Sequence, residues 1–150
     1  MSTGKNAFLL AMLVGPVAGC SPGGVADVPR PAIVVYVDEG GGGLCASVFA
    51  VDSQGTLWSS SDCGSGGRPW AIRATVGDAV RAELDAELDA VLALPEDTDC
   101  ATPTWTGRRY RFRRALPGTQ DWPEKELCEP GIAPAGQALA DRIATLASGG

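Results

Sequence analysis

The residues of this chain that could do chemistry are five cysteines, two acidic clusters, a row of arginines and one serine among glycines, and no histidine accompanies them. Without imidazole there is no Ser-His or Cys-His nucleophile pair and no H-E-x-x-H zinc site. Ser65 stands in Cys63-Gly64-Ser65-Gly66-Gly67, which does not match the G-x-S-x-G nucleophile elbow. No two cysteines are spaced C-x2-4-C, as a zinc ligand set or a dithiol redox motif would require, so no metal and no cofactor are expected. The tetrapeptide AELD occurs twice in succession and supplies Glu83, Asp85, Glu87 and Asp89, which read as the solvated flank of a helix. Glu96-Asp97-Thr98-Asp99 invites calcium, but the EF-hand spacing fails where Cys100 and Ala101 follow. Arg109, Arg111 and Arg113 alternate with Tyr110 and Phe112, so a strand would gather all three on one face as a candidate anion-binding row, with envelope phosphates as its ligand class.

The elements that would position these groups are legible as patterns. Residues 32–37, AIVVYV, form a β-branched run suited to a strand buried on both faces. Gly40 to Gly43 then read as a hairpin tip; a phosphate-cradling loop would need G-K-[ST] entering a helix. Residues 44–51 and 56–61 read as a hairpin about Asp52-Ser53-Gln54-Gly55. Residues 75–94 carry Val80, Leu84, Leu88, Val91 and Leu92 at helical spacing, with Thr75 or Asp78 as cap and Pro95 as stop. Residues 108–116 and 124–128 make a second hairpin about Leu116-Pro117-Gly118-Thr119. Its expected register sets Glu124 across from Arg111 and Glu126 across from Arg109, an ion-pair ladder that competes with the anion-site reading. Residues 134–147 form a last helix, with Pro134 in its first turn. The four tryptophans, Trp58, Trp70, Trp105 and Trp122, could stack on sugars, but covering a small core is their commoner use. The order is βββαββα, predicting an α+β two-layer sandwich: an antiparallel sheet with two helices on one face.

The N-terminus carries an address. Lys5 is followed by an uncharged run from Ala7 to Ala18, too short to span a bilayer and suited to a signal h-region. It ends in Val17-Ala18-Gly19-Cys20, which resembles a bacterial lipobox, in which the cysteine becomes the lipidated first residue of the mature protein. The resemblance implies a signal peptide over 1–19, a palmitate-bearing Cys20 and a membrane anchor. Ser21, rather than Asp, implies the outer membrane of the bacterial cell envelope. Residues 20–31, rich in Pro and Gly, then read as the lipidated cysteine and its linker, and 32–148 as one globular domain. Removal of the leader takes one base and no acid, leaving 11 basic against 18 acidic residues, a balance that argues against nucleic acid as a partner.

With Cys20 assigned to lipid, Cys45, Cys63, Cys100 and Cys128 are an even set in an exported chain and imply two disulfides. Three connectivities are open; the first hairpin brings Cys45 near Cys63, which favours that pair together with Cys100–Cys128. Residues 91–95, 110–112 and 134–146 are similar in order to emfourin-type inhibitors of bacterial metalloproteases, where a helix ending in leucine and proline precedes a Tyr-bearing hairpin and a proline-started helix. That resemblance implies a protease inhibitor as the alternative to a non-catalytic domain binding an unidentified envelope or protein partner. An enzyme built on carboxylates is the third reading, with Lys125 the one lysine left after the leader.

Overall fold

The computed structural model describes residues 28, 30–38, 45–62, 69–101, 107–129 and 131–149. The leader, Cys20, Gly40 to Gly43, Cys63, Ser65 and Trp105 lie outside the described residues, and so do the side chains of Asp62 and Asp99. The elements are β1 (Pro31–Asp38), β2 (Ala46–Asp52), β3 (Thr56–Asp62), β4 (Ala71–Thr75), α1 (Asp78–Leu92), β5 (Arg109–Arg114), β6 (Glu124–Cys128) and α2 (Pro134–Ala147). All six strands join one antiparallel sheet in the order β4-β3-β2-β1-β5-β6. The class is α+β, but with ββββαββα order: the expected five strands are six, because Ala71–Thr75 is a strand where the sequence reading has a connection. Its signal is inverted, since the large apolar residue, Ile72, faces solvent at 61% exposure. That strand takes Thr75 from the expected helix, so α1 begins at Asp78 behind Gly77, with no side-chain cap.

The run at β1 does become the central strand, flanked by β2 and β5, with Ile33, Val34 and Val35 all buried. Alternation then builds two different faces. Ile33, Val35, Val51, Leu57, Tyr110, Phe112 and Leu127 turn toward Leu84, Leu88 and Val91 of α1 and Leu139, Ala140 and Ile143 of α2, forming the main core. Gly136 allows α2 to seat this closely, because a methyl group there would collide with Leu127 and touch Phe112. On the opposite face Val28, Val34, Val48 and Ala50 are covered by Tyr36, Trp58, Trp70 and Trp122. Three of the four tryptophans therefore cap a small second core.

The β2–β3 turn shows how local chemistry sets a register. Gly55 holds φ +83°, and its amide donates to the Asp52 carbonyl at 3.0 Å. Asp52 itself is 4% exposed. Its Oδ1 accepts the Gln54 and Thr56 amides, each at 2.9 Å, and its Oδ2 accepts the Trp58 indole N–H at 3.1 Å. Burial pushes this carboxyl pKa up, but the hydrogen bonds from Trp58, Thr56 and Gln54 outweigh it and hold the value below the ordinary one. Val51 consequently faces Leu57, one residue later than the expected pairing with Thr56.

One disulfide, Cys100–Cys128, is complete among the described residues, with 5.3 Å between Cα atoms. It ties a short 3-10 turn, Thr98–Ala101, to the end of β6. Cys45 is also disulfide-bonded. Cys63 lies outside the described residues, and with it the pairing expected for Cys45.

Candidate functional site

The arginine row lies where alternation puts it, on the sheet face away from the helices, but its register differs from expectation. Arg111 faces Glu126 and Arg113 faces Glu124, while Arg109 faces Cys128. The hairpin centre falls one residue later because the connection is longer than a four-residue turn. It folds around Trp122, whose indole N–H donates to the Thr119 carbonyl at 2.7 Å and the Leu116 carbonyl at 3.2 Å. Arg113 pairs with Glu124, and Arg109 reaches Glu126 diagonally at 3.7 Å. Arg111 lies over the Tyr36 ring, 4.5 Å from its centroid, with Arg113 at 5.6 Å. Carboxylates and an aromatic face thus engage the row the sequence offers to an anion.

The AELD acids are not a free flank. Glu83 and Glu87 both pair with Arg142 of α2, while Asp85 and Asp89 take Arg114 of β5 at 2.9 and 2.7 Å. Each repeat sends its glutamate to one neighbour and its aspartate to the other, so the acids bind α1 to the helix and strand beside it. Burial opposes the charge on Arg114, but the two aspartates outweigh it and raise the pKa; on Arg142 the two glutamates do the same. Sequence reasoning missed these ties because the cations come from distant segments.

The other acidic cluster closes an edge. Lys125, buried, meets Glu96 at 3.1 Å, and Asp97 Oδ2 accepts the Cys128 amide at 2.8 Å. Glu126 lies with the Cys100 and Cys128 sulfurs in a group spanning 4.8 Å, but sulfurs bonded to each other are not thiolate ligands. Tyr110, also buried, donates from its hydroxyl to Glu129 at 3.2 Å and to Gln137 at 3.4 Å. Burial first, then the Glu129 carboxylate, pushes its phenol pKa up despite the opposing Arg108.

A groove between α2 and the sheet remains. One end, about 190 Å³, is bounded by Arg108, Tyr110 and Asp141, and the other, about 380 Å³, by Ser59, Ser61, Arg73 and Ala147. Ser47, Phe49 and Ala144 line both, so the two adjoin. Arg73 stands on β4, its Nε donating to the Ser59 hydroxyl at 2.6 Å, and among the described residues no carboxylate pairs with it. β4 is the last strand of the sheet and, among the described residues, pairs only with β3, so no described strand meets the backbone donors and acceptors of its outer side. Hydroxyls, a guanidinium and an open strand edge can together receive an extended chain bearing an acid. The sequence signal for this site is the alternation Ile72-Arg73-Ala74 just after Pro69-Trp70.

Among the described residues no helix is long and apolar enough to cross a membrane. No family model, curated protein or solved structure matches this chain.

Proposed function

We propose that this protein is a lipoprotein of the bacterial cell envelope, tethered to the membrane through Cys20, whose α+β domain is a non-catalytic binding module. The observation that carries the binding reading is the open β4 edge beside Arg73, in a sheet whose other edge is braced by the segment after α1. The partner this edge suits is an extended peptide segment that adds a seventh strand and presents one carboxylate to Arg73. Ile72, on the other face of the same strand, offers an apolar contact to alternate side chains of that segment. A second copy of this chain suits it less, because an antiparallel β4–β4 pair would bring two Arg73 side chains together. A pairing of Cys45 with Cys63 belongs to the same reading.

The anchor is tested by labelling cells with radioactive palmitate: label lost on Cys20→Ala supports it, and label that persists refutes it. The binding edge is tested with full-length detergent-solubilised protein and the blocked peptide Thr-Val-Glu-Val-Thr, expected to bind at about 0.1–1 mM. Arg73→Glu should abolish that binding and favour the peptide with Lys in place of Glu. Equal affinity in both proteins would overturn the reading.

The order α1, β5, β6, α2 on which the inhibitor resemblance rests is present, and it keeps protease inhibition as the second reading. Nanomolar inhibition of a secreted metalloprotease would establish it, and failure across a panel would remove it.

A further inference from the structure

Opposite the end of the sheet where β1 finishes, a cavity of about 580 Å³ opens among Pro31, Ala32, Ala115, Leu116, Pro117 and Trp122, with Arg30 and Ser53 at its margin. It is mostly apolar, and it lies at the tip of the β5–β6 connection. Leu116, at 39% exposure, is one of two large hydrophobic side chains among the described residues that stand in solvent; the other, Ile72, belongs to the β4 edge. The Trp122 ring is held against this tip by its two carbonyl contacts, so one edge is fixed on the protein while the rest is half-exposed. Arg30 has no carboxylate partner among the described residues and holds φ +50°.

The chain that arrives here comes from Cys20. Val28 packs in the same cluster as Trp122. Val28 is eight positions after Cys20, so a lipidated cysteine can be no further than about 28 Å from this cluster even with the chain fully extended. A half-exposed indole, an exposed leucine beside a proline turn, and an arginine with no acid partner among the described residues are the side chains that settle at a bilayer interface. Resting on the Cys20 anchor, we propose that this end of the domain sits on the phospholipid surface, with Leu116, Pro117 and Trp122 in the headgroup–acyl boundary and Arg30 against lipid phosphate. Asp121, exposed beside Trp122, limits the depth to a shallow contact. Ser47, Ser61 and Arg108 of the groove flank the far ends of the strands, about 20 Å from the proposed lipid contact.

The test uses the full-length lipidated protein in phosphatidylcholine vesicles whose acyl chains are brominated near the headgroup, with tryptophan emission as readout. Quenching should fall by about half or more in Trp122→Phe and in Leu116→Asp, but not in Trp58→Phe. Leu116 is a surface residue, so its variant keeps the test sound if Trp122→Phe perturbs the loop. Palmitate-labelled protein whose quenching is unchanged in both variants, or whose tryptophans are not quenched at all, overturns the docking while leaving the anchor in place. Absence of palmitate label in the wild type overturns the anchor and the docking together.

Discussion

The two edges of the sheet carry the same kind of backbone and are finished in opposite ways. At β6 a disulfide, a lysine–glutamate pair and an aspartate that accepts a main-chain amide bring the segment after α1 against the strand. At β4 the outward groups pair with nothing among the described residues, Ile72 and Arg73 are exposed, and a groove begins beside them. An unpaired edge is an aggregation hazard that proteins commonly blunt with a charge or a short strand, and β4 has both: five residues with an arginine at the centre. The contrast separates a braced edge from an open one. The β6 edge is tied to the rest of the fold, whereas the β4 edge contributes little to it and is, under the proposed function, where the peptide would bind.

Substitutions can break or sharpen that contrast. The largest effect is expected from Cys100→Ser with Cys128→Ser, since a crosslink closing a loop of 28 residues restricts the unfolded chain by about 3–4 kcal/mol. Urea unfolding should show this loss, and a change below about 1 kcal/mol would mean the β6 edge is held by other contacts. Asp52→Ala comes next, at about 2 kcal/mol, because three donors lose a buried acceptor at the turn leading into β3. Asp52 also gives a pH signature. Its pKa is lower folded than unfolded, so its contribution is fully present above the unfolded value and disappears as pH falls through the folded one. Acid titration of thermal stability should therefore be flatter in Asp52→Asn, and an unchanged acid limb would contradict the assignment.

Asp97→Ala should cost about 1 kcal/mol by leaving the Cys128 amide without its acceptor, read by faster exchange of that amide. The smallest effect belongs to the open edge. Arg73→Ala should change unfolding free energy by less than about 0.5 kcal/mol, since its one partner among the described residues is a serine hydroxyl. A loss of 2 kcal/mol or so there would make Arg73 part of the scaffold and remove the distinction between the edges.

The legible part of this fold was its apolar periodicity. β1, α2 and β6 follow runs whose pattern matches one element and one burial state, and the Cys100–Cys128 pair followed once local geometry paired the other two cysteines. The illegible part was contacts between segments that no spacing connects. Arg114 and Arg142 reach α1 from 25 to 59 residues away, so AELD reads as a solvated flank until they arrive. β4 escaped because an edge strand buries little, leaving Ile72 outside and Arg73 on the groove side. The two hairpin registers each missed by a small step for a local reason: the Asp52 turn admits one more residue, and the β5–β6 connection winds around Trp122. The ladder was therefore right in kind and shifted in pairing.

Amide hydrogen exchange on the full-length protein, with and without the glutamate-bearing peptide, tests the open edge most directly. The account predicts β6 amides that exchange slowly in both states, and outward-facing β4 amides that exchange rapidly alone and become protected when the peptide is present. Outward β4 amides already protected in the free protein, or unprotected at saturating peptide, would contradict it.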